Sequence, residues 1–211
     1  MHVSGALRLD SLSALSGNPV GSFHPLQAFP APRDPSAFRG ITVAVDASSS
    51  TLRRRLAKLA RDVGARPRHV EDSERVLYHA AAVFASNYVV ALVDESVSLL
   101  EAIGWSREEA LEGLAPLMQN ALAAALKQGP TAALTGPIRR GDADTVARHV
   151  EALTSLDSRS PAGRRRVDLY RMLGAIALEI ARRGGLDPAA AGRVERALTR
   201  KVAATRRRRQ R

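Results

Sequence analysis

From Val76 to Val93 the chain runs for 18 residues without an Asp, Glu, Lys or Arg. That run limits the fold more than any other feature of the sequence. Its length brushes what a helix needs to span a bilayer. His79, Ser86 and Asn87 interrupt it, however, and Asp94-Glu95 follows at once. A helix that is apolar on nearly every side is also what the centre of a helical assembly requires. We read it as a buried helix of a soluble protein, with no membrane partner.

The residues before this run alternate between strand and helix. Pro19 to His24 reads as a short strand, and Ile41 to Val45 as a buried one between Gly40 and the Ser48 to Ser50 turn. Leu52, Leu56, Leu59 and Val63 then recur at helical spacing until Gly64, and Arg68 to Val70 can form another strand. Phe29 to Phe38, rich in Pro and Ala, is a loop too long for a hairpin turn. From Asp72 onward every signal is helical. Ser106 with Glu109 forms a capping box, Gly129-Pro130 ends that helix, and Pro116 should kink or split it. Asp142 caps a helix over about 143 to 156. Ser160-Pro161 starts one that Gly184-Gly185 ends, and Asp187-Pro188 starts the last. The fold class is therefore α/β followed by all-α.

A chain of 211 residues holds one large domain or two small ones. Hydrophobic content of 45% with only 4% aromatic residues calls for a core of Ala, Leu and Val. The absence of cysteine excludes disulfides, thiolate zinc sites and Cys nucleophiles, and fits a reducing cytoplasm. No apolar signal segment follows the start. The net charge of +11 invites a nucleic-acid reading, but five arginines sit in the last six residues, Arg206 to Arg209 and Arg211. A like-charged block cannot pack, so residues 205 to 211 are expected to be a disordered, solvated tail. Nucleic acid binding through that tail is the minority reading.

Several chemistries are missing from the sequence. No G-x-G-x-x-G turn, phosphate loop, H-E-x-x-H helix or G-x-S-x-G elbow occurs. His2, His24, His69, His79 and His149 are too scattered to suggest a metal site. Two constellations remain. The first is Gly21-Ser-Phe-His-Pro-Leu-Gln27, at the C-terminal end of a strand. In an open α/β sheet that end faces the ligand crevice. There His24 can transfer a proton near neutral pH, or merely satisfy backbone groups before Pro25; spacing alone leaves both open. The second is His79, Ser86 and Asn87 on the long helix, where a separation of seven residues puts His79 and Ser86 on one face. Hydrogen bonding between helices is the simpler account of that periodicity.

The order of these pieces carries a resemblance. Val3-Ser-Gly-Ala-Leu7, Gly21-Ser-Phe-His-Pro-Leu-Gln27, Tyr78-His-Ala-Ala-Ala-Val-Phe-Ala-Ser-Asn-Tyr88 and Leu134-Thr-Gly-Pro-Ile-Arg-Arg-Gly-Asp142 appear in this sequence in turn. Over about residues 2 to 200 the chain resembles a bacterial Rossmann-like family with a C-terminal domain of unknown function. That family is similar to prephenate dehydrogenase, ketopantoate reductase and pyrroline-5-carboxylate reductase. The resemblance implies a partial Rossmann-like domain over residues 1 to 71, lacking its N-terminal βαβ half. A helical domain like the C-terminal domain of 6-phosphogluconate dehydrogenase would follow over 72 to 204, its long helix packed across a homodimer. It also implies hydride transfer, with NADP or NAD, to or from a small carbonyl, imine or carboxylate substrate. By this resemblance His24 and His79 are the catalytic candidates, and Ser4, Ser22 and Asn87 the substrate-binding ones.

Two departures qualify the expectation. Relatives with Lys-x-x-x-Asn on the long helix use the Lys as a general acid, whereas Val83 stands at that position here. The Ser-Gly-Ala loop normally follows more than half of the nucleotide domain, so the chain is expected to be N-terminally truncated and weak or inactive as a dehydrogenase. The alternative is a non-catalytic, dimeric helical module that binds a ligand or a protein.

Overall fold

The structure is a computed structural model that describes residues 1–15, 17–156 and 161–200. Its sheet has three strands in the order β1 (Gly21–Pro25), β2 (Thr42–Ala47) and β3 (Arg66–His69). β1 runs antiparallel to β2, pairing Phe23 with Val45, and β3 runs parallel to β2, pairing Pro67 with Val43. The expected strands are all present, displaced by up to two residues at their ends. His2 adds a parallel bridge to Ser22 on the outer side of β1.

Alternation along the strands sorts their side chains between two faces. Phe23, Val43 and Val45 turn toward α1 (Ser50–Asp62) and form a core with Leu56, Ala60 and Ala65. The Ser49 hydroxyl accepts from the Leu52 amide (3.2 Å) and starts that helix. Gly64, at φ 80°, turns the chain out of it into β3, a conformation that costs glycine little. Ser22 and His24 alternate with Phe23 and lie on the opposite face. The expected loop over 29 to 38 closes with a short 3-10 turn at Pro35–Phe38, capped by the Asp34 carboxylate.

The apolar run differs from its expectation in two ways. It is not one helix: α2 (Arg75–Ala85) and α3 (Asn87–Glu101) break at Ser86, whose backbone sits at φ −128° and ψ −74°. Nor is it buried within this chain. Leu77 is 78% exposed and Val90 69%, with Val76 and Phe84 similarly open. Sequence apolarity reports that a surface should be covered and says nothing of what covers it. By length and composition the stretch Arg75–Glu101 is long enough to cross a membrane, a test that core helices of soluble proteins also pass.

The chain divides into two compact units, Met1–Asp94 and Glu95–Arg211, with α3 running through the division. In the second unit α4 (Arg107–Gln128) starts on a complete capping box. The Ser106 hydroxyl accepts from the Glu109 amide, and the Glu109 carboxylate accepts from the Ser106 amide. The helix continues through Pro116 without splitting. After the short α5 (Pro130–Ala133) and α6 (Gly136–Arg140) come α7 (Ala143–Leu156), α8 (Pro161–Arg183) and α9 (Pro188–Thr199). Their core is Val146, Leu178, Ala191, Val194, Ala197 and Leu198, built from aliphatic side chains as the composition requires. Asp142 and Asp187 cap α7 and α9 through the Thr145 and Ala190 amides. Among the described residues no strand follows Asp72. The Ser160 cap and the arginine tail at 205 to 211 lie outside the described residues.

Candidate functional site

The first unit brings its polar residues together where α2 meets β1. Arg75, Tyr78 and His79 are three and four residues apart, so they share one face of the helix. That face lies against the Ser22 and His24 side of the sheet. His24 Nδ1 is 2.9 Å from the Tyr78 hydroxyl, and the two rings meet edge to face with centroids 5.5 Å apart. The His79 ring lies beside them, 6.2 Å from His24 between centroids. A cleft of about 590 Å³ opens here, lined by His24, Gln27, Tyr78, His79, Ser86 and Asn87 among others. A second cleft, of about 710 Å³, also has His24 and Gln27 in its wall and extends toward Phe29, Arg33 and Phe38.

Burial holds the His24 imidazole below its usual value of 6.5, and His79 and Arg75 push it the same way. Burial raises the Tyr78 hydroxyl above 10.0, against the opposing effect of Arg75. At neutral pH the pair is thus a neutral imidazole and a neutral phenol. Two hydrogen-bond arrangements satisfy it. If Tyr78 donates to Nδ1, Nε2 carries the ring proton; if Nδ1 donates to Tyr78, Nε2 is a free base. Either one leaves Nε2 as the atom able to exchange a proton.

His24, His79 and Asn87 therefore line one cleft, joined by Ser86. The two serines sit elsewhere. Ser22 is fully buried and its hydroxyl takes a hydrogen bond from Arg75 Nη2, so it is a support and not part of the cleft lining. The Ser4 hydroxyl accepts from the amides of Ala6 and Leu7 (3.3 and 3.2 Å), folding the Ser-Gly-Ala turn on itself. Three residues escaped the sequence reading: Gly5, Arg75 and Tyr78. Tyr78 and Arg75 could have been found from their spacing to His79; nothing local marks Gly5 as a contact. Among the described residues no group of three or more His, Asp or Glu side chains is placed to hold a metal ion. His69 is held by Asp46 (3.0 Å), and His149 by Tyr170 (2.9 Å).

A dinucleotide needs open amides at a glycine-rich strand-to-helix turn. The turn from β2 into α1 is Ser48-Ser49, with no glycine, and three of its groups bond within the protein. The Ser48 hydroxyl accepts from the Val20 amide, the Ser48 amide donates to the Val20 carbonyl, and Ser49 occupies the Leu52 amide. This glycine-free turn does not fit the pyrophosphate of NADP or NAD.

Residues 41–177 match the profile of a family described as a domain of unknown function, DUF2520. Among solved structures the chain is similar to a protein from Thermotoga maritima, with a TM-score of 0.72 at 22% identity. It covers 86% of this chain and 68% of that one. A candidate NADP oxidoreductase from Bacteroides fragilis is similar with a TM-score of 0.66 at 23% identity, over 84% of this chain and 64% of that one. The chain thus spans about two thirds of the length of each. At these identities the likeness is one of fold. No curated protein matches.

Proposed function

This chain belongs to the DUF2520 family, and we propose that it forms the substrate-binding side of an oxidoreductase site in which His24 exchanges a proton with a small carbonyl, imine or carboxylate substrate. The observation that supports this reading is the His24 geometry. Tyr78 fixes Nδ1, the ring is neutral, and Nε2 is left for a ligand in a cleft that also offers His79 and Asn87. A proton leaving a substrate hydroxyl would pass to Nε2, and the reverse transfer would protonate a carbonyl oxygen or imine nitrogen. Asn87 can both donate to and accept from the substrate's polar end.

The likeness to the Bacteroides fragilis protein supports oxidoreductase chemistry with NADP for the family. Because the Ser48-Ser49 turn does not fit the cofactor's phosphates, the proposal for this chain is confined to substrate binding and proton transfer. The finer kinship with prephenate dehydrogenase, ketopantoate reductase and pyrroline-5-carboxylate reductase is part of the same proposal. So is the likeness of the helical part to the C-terminal domain of 6-phosphogluconate dehydrogenase. His24-Pro25 at the end of β1 and Asn87 at the start of α3 favour it.

The exposed apolar side of α2 and α3 favours one further element, a second copy of the chain as partner. Apolar patches of this kind mark interaction surfaces. A bilayer is a poor occupant, because the opposite face of α2 lays Arg75, Tyr78 and His79 against the sheet. The alternative reading, a dimeric module without catalysis, shares this partner and differs only at His24. A cytoplasmic location is proposed with either.

Titrating the chain with 2-oxo acids, 2-hydroxy acids and cyclic imines, followed by NMR, tests the site. One class should shift the His24 and His79 ring signals and the Asn87 amide. His24→Asn should weaken that binding by about tenfold, the equivalent of one lost hydrogen bond. If no class moves these signals, or His24→Asn binds as tightly, the site reading fails.

A further inference from the structure

Arg75 is completely buried. A guanidinium in such a place needs partners, and those it has are of uneven quality. Nη2 donates to the Ser22 hydroxyl and Nη1 donates to the Ser4 carbonyl at 3.4 Å. Among the described residues the carboxylate near it is that of Asp72, 3.8 Å from Nε. That carboxylate has closer partners in the Leu9 amide (2.8 Å) and Arg8 Nε (3.0 Å). Arg75 Nε and both ring nitrogens of His2 are buried with no hydrogen-bond partner. A side chain selected only to hold the fold would not be a cation with a distant counter-ion, since apolar residues of similar volume serve as well or better there.

What the guanidinium does hold is Ser4, midway along the segment from His2 to Leu9. His2 is stitched to β1 by two backbone hydrogen bonds, and Asp72 holds Arg8 and Leu9. Between those anchors Arg75 holds Ser4, and the next residue is Gly5. A Cβ on Gly5 would lie 2.5 Å from His79 Cδ2 and 2.8 Å from His24 Nε2, closer than real Cβ atoms approach. The backbone of the Ser4-Gly5 turn is therefore packed directly against both imidazoles.

We propose that Arg75 is a positioning residue of the His24 site: it seats the Ser4-Gly5 turn against His24 and His79, so that Nε2 of His24 faces peptide backbone on one side and the cleft on the other. Gly5 is the complementary half of the device, because any side chain there would separate the turn from the rings. The fixed charge also acts on His24. The groups facing that imidazole are Tyr78, His79 and Arg75 from α2, with Ala44 opposite it on β2 and Gly5 above. None of these is an anion, so the cation's effect stands unopposed and favours the uncharged ring. The proposal rests on His24 lining the cleft, but its test reads the environment of His24 and not turnover. It can fail while the proton-transfer reading stands, and the reverse.

The test is a proton titration of all imidazole signals by NMR, with nuclear Overhauser contacts, in the full chain and three variants. In the unmodified protein His24 should show contacts to the Gly5 α-protons and titrate below the usual 6.5. Arg75→Met, which keeps the packed stem and loses both fork and charge, should lose the Gly5 contacts and raise the His24 midpoint. Arg75→Lys should keep the low midpoint and lose the Gly5 contacts, because one ammonium cannot reach both Ser22 and Ser4. Gly5→Ala should lose the His24–His79 contact with Arg75 intact. A folded Arg75→Met protein with unchanged contacts and midpoint would overturn the proposal. If Arg75→Met does not fold, Arg75→Lys and Gly5→Ala decide it, and wild-type contacts in either would overturn it.

Discussion

The hydroxyl of Tyr78 lies 2.9 Å from His24 Nδ1, so a helix residue 54 positions along the chain fixes the orientation of a strand imidazole. The contact joins the two sequence motifs that spacing alone could not connect. It also decides which nitrogen is free.

Tyr78→Phe removes that contact and leaves the edge-to-face ring packing. The half-buried Nδ1 then loses its partner, at a cost to stability of about 0.5–1.5 kcal/mol. The ring of His24 should become mobile about its side-chain torsions, seen as loss of its defined contact to residue 78. If the Phe variant keeps wild-type stability and ring contacts, Tyr78 is packing alone.

The depressed affinities of two histidines for protons set an acid limit on stability. His24 and His2 are both held below the usual 6.5, each chiefly by burial, with Arg75 pushing both the same way. Between the folded and unfolded values the unfolded chain binds more protons, so stability increases with pH across that window. The contribution is complete above about pH 6.5 and is lost as pH falls through the folded values. Chemical denaturation at steps from pH 7.5 to 5 should show the first unit losing stability, and His24→Gln should flatten the slope. A pH-independent midpoint would remove the buried, neutral state assigned to His24.

On the exposed side of α2 and α3, Leu77→Glu and Val90→Glu each place a charge where a second copy is expected. Either should shift the chain from dimer to monomer in light scattering while the sheet signals stay unchanged. An unmodified chain that is monomeric, and binds neutral lipid vesicles, would reassign that face to a membrane.

The sequence revealed most where the determinant is local. Ser106, Asp142 and Asp187 name the helix starts because a cap acts within three residues. It revealed less wherever partners are distant in sequence. Ser22 and His24 look equivalent by alternation, yet one contacts Arg75 and the other the cleft, which only the placement of α2 decides. Arg75 is one arginine among many until its burial is known. The break at Ser86 leaves no Pro or Gly in the sequence to announce it.

The two units should also differ in how they open. β2 is paired on both sides, but β3 is a four-residue outer strand with largely exposed side chains, and among the described residues β1 has only the His2 bridge beyond it. An outer strand of that kind exchanges its amides by local opening. α7 and α9 instead pack Val146, Val194 and Leu198 with Leu178 of α8 in one buried core, and interior amides of an α-helix are bonded within the helix itself. Hydrogen exchange should therefore rank α7 and α9 as the most protected amides, β2 next, and β1 and β3 last. In the Arg75→Met variant the amides of residues 2 to 9 and of β1 should exchange faster still, with α7 and α9 unaffected. Protection of Val43 to Val45 equal to that of Val146 to Val150 would show that the sheet is as stable as the helices, against this ranking.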